Sequence, residues 1–203
     1  MDEQTVQTIK KTIEQSCLPD IKIAVVGGSC TLPYIDHPHD IDVCVYVDPI
    51  AQPHRLAYVR GLRSSLKETV GEDVSLITRA TSKWWVENGL LRRDAFMNDP
   101  RFAKSVIGDI TDLIPTDEVD VFANKDRYIE SLKAYYLSEK FAEHTAAWGR
   151  LKAPYQAFLL LYFLDNGSYE LTEEQRRNVN IVHDCADGYE ELRDWLLERL
   201  NSM

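Results

Sequence analysis

No CxxC pair occurs among the four cysteines, Cys17, Cys30, Cys44 and Cys185, and their spacing is irregular. Zinc modules and disulfide frameworks both need paired or regularly placed thiols, so neither is indicated and a reducing compartment is the default expectation. Long apolar runs are missing as well. No window reaches membrane-spanning length without a charge, and the first residues, MDEQTVQTIKK, carry charges where a signal peptide needs an apolar run. A soluble, cytoplasmic protein without a membrane partner is expected. Positive charge is also scarce: 23 Lys+Arg stand against 33 Asp+Glu, for a net charge of -10. From Arg127 onward there are 9 basic and 13 acidic residues, which leaves -4 there and -6 before it. Neither part is a basic module, so bulk binding to duplex DNA is not expected, although a local basic groove is compatible with an acidic protein. A small anionic ligand held by a metal fits better. There is no internal repeat and no low-complexity segment.

What remains is an ordinary globular composition, 44% hydrophobic over 203 residues, enough for one large domain or two small ones with a proper core. Val6, Ile9, Ile13 and Cys17 recur at helical spacing behind Asp2 and Glu3, which predicts an amphipathic first helix over residues 3–17. Pro19-Asp20 ends it. Residues 21–26 predict a short apolar strand, and residues 41–47 a continuous apolar strand covered on both faces. Leu56, Val59, Leu62, Leu66 and Val70 form one helical stripe that stops at Gly71, and residues 74–78 predict a third strand. Strands alternating with helices make an α/β sheet and not a bundle. A helix with Trp84, Trp85 and Val86 is predicted from Thr81 to Gly89, and Asp99-Pro100 reads as the cap and first position of another short helix. Residues 109–126, turn-rich and acidic, are the expected linker. Beyond them only helices are predicted: one marked by Ile129, Leu132, Tyr136 and Leu137, an apolar one from Pro154 to Leu164, one opened by the capping box Thr172-Glu173-Glu174-Gln175, and a last one with Leu192, Trp195, Leu196 and Leu200.

The chemistry concentrates in residues 23–47, IAVVGGSCTLPYIDHPHDIDVCVYV. Gly27, Gly28 and Ser29 close the first apolar run, and Asp40-Ile41-Asp42 opens the second. A strand ending in a glycine turn exposes backbone N–H groups that suit a phosphate. Alternate residues of the next strand share a face, so Asp40 and Asp42 stand side by side, and a cation is the natural reason to keep two repelling carboxylates there.

This arrangement, Gly28-Ser29, a loop and then Asp40-Ile41-Asp42 on a strand, resembles the signature of the DNA polymerase beta-like nucleotidyltransferase superfamily. The following helix and the segment ETVGEDVSLIT match its minimal members, and the resemblance covers roughly residues 21–80. It implies an α/β (α+β) fold, a nucleotidyltransferase-like mixed sheet flanked by helices, in a domain of residues 1–124, followed by an all-helical C-terminal domain of residues 125–203. It further implies that Gly27, Gly28 and Ser29 hold a nucleoside triphosphate, that Asp40 and Asp42 hold Mg²⁺ or Mn²⁺, and that a third carboxylate completes the site. Ser75 stands where that third acid is normally found. Asp73, two residues earlier on the same strand face, can substitute as metal ligand and base, and Asp120, in Val119-Asp120-Val121, offers the same apolar-acidic-apolar pattern later in the chain.

Other candidates have plainer readings beside them. Lys152 and Tyr155 can hold phosphate and base, or be a solvated lysine and a core-edge tyrosine. Asp36, His37 and His39 can bind a transition metal, or belong to an irregular loop between Pro33 and Pro38. Trp84-Trp85 and the apolar residues 158–164 read as core. The expected function is a metal-dependent nucleotidyltransferase moving a nucleotidyl group from a nucleoside triphosphate, ATP among them, to the hydroxyl of a small molecule, protein side chain or RNA end. The alternatives are a catalytically degenerate relative that binds nucleotide or a partner protein without chemistry, and a helical interaction protein with an α/β scaffold.

Overall fold

Asp2 opens the first helix as its N-cap: its carboxylate accepts from the Thr5 backbone N–H at 2.7 Å and from the Thr5 hydroxyl at 3.1 Å. This satisfies a donor that the first helical turn leaves without an intrahelical partner. The computed structural model describes residues 1–16, 21–47, 52–71, 73–80, 99–112, 116–137 and 154–203. The chain divides into two compact units, Met1–Leu32 with His37–Thr116, and Pro33–Asp36 with Asp117–Met203.

The first unit is built on a mixed sheet. Strands β1 (Ile21–Gly27), β2 (Ile41–Val47), β3 (Val74–Ala80) and β4 (Lys104–Ile107) lie in the order β3-β2-β1-β4. β1 runs antiparallel to both β2 and β4, while β2 and β3 are parallel. A parallel pair needs a crossover, and helix α2 (Gln52–Thr69) supplies it. Helix α1 (Glu3–Gln15) packs beside α2, where the Thr12 and Thr69 hydroxyls meet at 2.9 Å. Alternation along the strands sends Ala24, Val26, Val43, Val45, Val74 and Val106 to one face, where they form a core with Ile9 and Ile13 of α1 and Leu62 and Leu66 of α2. Asp42, Cys44 and Tyr46 therefore take the opposite face. Val43, Cys44, Val45 and Tyr46 are all buried, so β2 is covered on both sides, as its unbroken apolar run predicts.

The short helix expected at Asp99-Pro100 is corrected: the segment is a single turn running straight into β4. The Asp99 carbonyl accepts from Phe102 N at 2.9 Å and Ala103 N at 2.7 Å, and its buried carboxylate is gripped by the Arg101 guanidinium. Pairing with β1 and burial of Val106 make the next four residues a strand, and four residues are too few to show a period in sequence. The stretch read as a linker also has structure. It contains one-turn helices Ile110–Asp112 and Thr116–Val119, with Ile110, Val119 and Val121 buried.

The described residues of the second unit form helices and turns without a strand: α3 (Lys125–Tyr136), α4 (Pro154–Asn166), α5 (Glu173–Asp184) and α6 (Tyr189–Ser202). α4 is apolar all round, so it must be buried on every side. Phe158, Leu159, Leu161 and Phe163 are accordingly fully buried, with Trp195 of α6 stacked 5.2 Å from Phe158. The capping box at α5 forms in both directions, Gln175 N to Thr172 Oγ1 at 3.2 Å and Thr172 N to Gln175 Oε1 at 3.0 Å. Among the described residues no helix is long and apolar enough to cross a membrane. The helix expected around Trp84 and Trp85 lies outside the described residues.

Candidate active site

β1 ends where β2 begins, because the two strands are antiparallel: Gly27 pairs with Asp42. The next residue, Gly28, has φ 75 and ψ -159, a conformation that side-chain-bearing residues essentially never adopt. It turns the chain into the short helix Ser29–Thr31, held by Thr31 N to Gly28 O at 3.2 Å and Leu32 N to Ser29 O at 3.3 Å. The same glycine also makes room. A Cβ there would stand 2.4 Å from Asp42 Oδ2, so the carboxylate lies directly against the backbone of the turn. Ser29 is only 6% exposed.

Asp40 is half-buried two residues before Asp42, on the same face by alternation. One thiol senses both acids. Burial pushes Cys30 up to about 11, with the Asp42 and Asp40 charges adding to the rise and the Asp42 backbone N–H partly offsetting it. The Cys30 thiol donates to Gly27 O at 3.2 Å beneath the turn. Only about one thiol in a thousand would be ionised at pH 8, and the thiolate is the reactive form. Iodoacetamide on the native protein is thus expected to leave Cys30 unmodified while labelling the exposed Cys185, with Cys30 joining it in denaturant; peptide mass mapping reads both. Labelling of native Cys30 at the rate of Cys185 would contradict its burial.

The third strand sets the other side. Asp42 pairs with Ser75 across the parallel ladder, and neighbouring strands lie about 4.8 Å apart. Ser75 thus occupies the position directly beside Asp42. Ile41 N donates to Asp73 O at 2.9 Å, and the register carried back one step places Asp73 beside Asp40. Asp73 is exposed and shares the face of Asp42 and Ser75 by alternation.

The remaining candidates sit in the second unit or outside the described residues. The Asp120 carboxylate accepts from Phe122 N at 2.9 Å, Ala123 N at 2.8 Å and the Tyr169 hydroxyl at 3.0 Å, which commits it to the turn before α3. Tyr155 is buried, its ring edge-on to His183 at 5.1 Å. Lys152 lies outside the described residues. Asp36 is ion-paired with Arg176 of α5. Two features had no sequence signal: the thiol of Cys30 beneath the turn, and the grip that Asn180 of α5 keeps on residues 34–36. The Asn180 contacts follow from no spacing rule, because they join a side chain to backbone of another element, while the Cys30 bond reaches back only three residues.

No protein-family model and no curated protein matches the chain. Among solved structures, it is similar to spectinomycin adenyltransferase AAD(9) from Enterococcus faecialis with ATP and spectinomycin. The TM-score is 0.55 at 13% identity, over 99% of this chain and 100% of that one. The chain therefore has a nucleotidyltransferase-like α+β fold.

Proposed function

We propose that the chain is a metal-dependent nucleotidyltransferase of the polymerase beta-like superfamily, with ATP as donor and the hydroxyl of a small molecule as acceptor. The observation that carries this reading is the Asp42 carboxylate lying against Gly28, with Asp40 on the same strand face. A glycine turn lets a phosphate approach the backbone closely, and the adjoining acids are where its counter-cation belongs. The residues fit such a group, because the space a Cβ would fill at Gly28 is taken by a potential ligand oxygen. Asp40 and Asp42 would hold Mg²⁺ or Mn²⁺, with Asp73 beside them. When bound, that cation neutralises phosphate charge and stabilises an in-line displacement at phosphorus.

The protein groups divide the remaining work. Backbone N–H groups of the turn and the Ser29 hydroxyl orient the triphosphate, and Asp73 accepts the proton of the attacking hydroxyl. The acceptor oxygen bonds to the α-phosphorus, the bond to the bridging oxygen breaks, and pyrophosphate leaves. The adenyltransferase of similar fold was solved with ATP and spectinomycin, which supports the choice of donor and the class of acceptor. Ser75 beside Asp42 favours the second reading, a nucleotide-binding protein without turnover.

The test is label transfer from each α-labelled triphosphate, with Mg²⁺ or Mn²⁺ and with EDTA, onto spectinomycin and other hydroxylated small molecules. Transfer that EDTA removes is the expected result. Metal-dependent binding of ATP without transfer to any acceptor would establish the second reading, and no metal-dependent nucleotide binding would refute both.

A further inference from the structure

The second unit contains one segment taken from the middle of the first: Pro33–Asp36, part of the connection between the Gly28-Ser29 turn and Asp40. Its attachments are specific. The Tyr34 ring lies 5.5 Å from Phe163 and its hydroxyl donates to Tyr169 O, while Ile35 is buried and Asp36 is ion-paired with Arg176. The centre of the grip is Asn180. Its Oδ1 accepts from Asp36 N at 2.9 Å, and its Nδ2 donates to Tyr34 O and Arg176 O, each at 2.9 Å. One side chain thus holds the backbone of residues 34 and 36 of a turn through one donor and one acceptor. A carboxamide uses both N–H groups and its oxygen in doing so. Aspartate, of equal size, has no donor for Tyr34 O, and alanine has neither group.

We propose that Asn180, by holding the backbone of residues 34 and 36, is a positioning residue for Asp40, four residues further along the same loop. This rests on the nucleotidyl-transfer reading above. Only His37, Pro38 and His39 separate the gripped Asp36 from Asp40, a contour of about 14 Å at full extension. Pro38 has a fixed φ, which removes part of the slack. The other end is anchored too, because Leu32 is buried in the first unit directly after the turn. A strap held at both ends transmits a displacement at Asp36 to Asp40, and misplacing a reacting group by about 1 Å can cost about 10²-fold in rate.

The experiment uses the full chain carrying Asn180→Asp or Asn180→Ala, each alone and combined with Asp40→Asn. Amide hydrogen exchange at Asp36 reads the grip, NMR shifts of the Asp40 and Asp42 amides read the position, and Mn²⁺-dependent ATP binding reads the site. Both variants are expected to keep the wild-type melting temperature within a few degrees, and Asn180→Ala, which removes the acceptor of the Asp36 N–H, to speed exchange at Asp36. They should also shift the Asp40 amide and weaken Mn²⁺·ATP binding about ten-fold, with no further weakening in the Asp40→Asn background. Two results would overturn the proposal: faster exchange at Asp36 with an unmoved Asp40 amide, or an equal loss of binding with and without Asp40. If wild type binds no Mn²⁺·ATP, the nucleotidyl-transfer reading fails by itself, and the Asp40 shift still decides whether Asn180 positions that residue.

Discussion

Replacing Asp42 by asparagine is expected to abolish metal-dependent nucleotide binding and label transfer while leaving the fold intact. The side chain is half-buried on the sheet face opposite α1 and α2, and asparagine matches it in size, so packing is preserved. What changes is charge. Outer-shell partners of a bound metal are worth about 10–100-fold in affinity or activity, and loss of a direct ligand should exceed that. Stability should move the other way. Asp40 lies just before β2 and Asp42 is its second residue, about 6.6 Å apart at strand spacing, where two like charges repel by about 1 kcal/mol at a high effective dielectric. Removing one charge should raise the Tm of the metal-free protein by about 2 °C. Calorimetric titration with Mn²⁺ and ATP beside a thermal melt measures both, and an Asp42→Asn protein that still transfers label would remove Asp42 from the site.

Gly28→Ala should be as damaging to function and much more damaging to stability. Two costs add. The backbone at φ 75 and ψ -159 is nearly exclusive to glycine, and forcing another residue into such a region costs about 1–3 kcal/mol. The new Cβ would also stand 2.4 Å from Asp42 Oδ2, so the carboxylate must leave the position from which it would hold the proposed cation. The Tm is expected to fall by several degrees, at about 2–4 °C per kcal/mol for a chain of this size, and metal-dependent nucleotide binding to disappear. A double-mutant cycle separates the two terms. In an Asp42→Ala background the clash is gone and the backbone strain stays, so Gly28→Ala should cost less there but more than nothing. An equal cost in both backgrounds would mean that Asp42 does not press on the turn.

Much of the site is legible from local pattern. The apolar run from Ile41 to Val47 is a strand over that whole span, and the capping box at Thr172 forms with both hydrogen bonds. The strands β1 to β3 and the helices after them follow from apolar runs, helical stripes and glycine stops, which are properties of neighbouring residues, whereas the mixed pairing of the sheet is what the family resemblance implies. β4 is different. Lys104–Ile107 is too short for a period, and it is a strand because β1 lies beside it with backbone groups to pair. The same limit hides the strap: nothing near Asn180 in sequence indicates that its carboxamide binds backbone 144 and 146 residues away.

The sequence by itself determined where the candidate residues lie: a glycine turn closing one strand, two acids spaced to share a face of the next, and a serine at the position where the family resemblance implies a third acid. The turn and the paired acids depend on covalent geometry and on a side-chain period of two, so no distant contact is needed to read them, while the place of the third acid is what the resemblance implies. The tertiary structure decided how they meet. It set Asp42 against Gly28 and opposite Ser75, brought Asp73 beside Asp40, and placed the Asn180 carboxamide on the backbone of residues 34 and 36. Each of these is a strand register or a side-chain-to-backbone hydrogen bond, formed only when chain distant in sequence is packed alongside, and that packing leaves no periodic trace in the residues themselves.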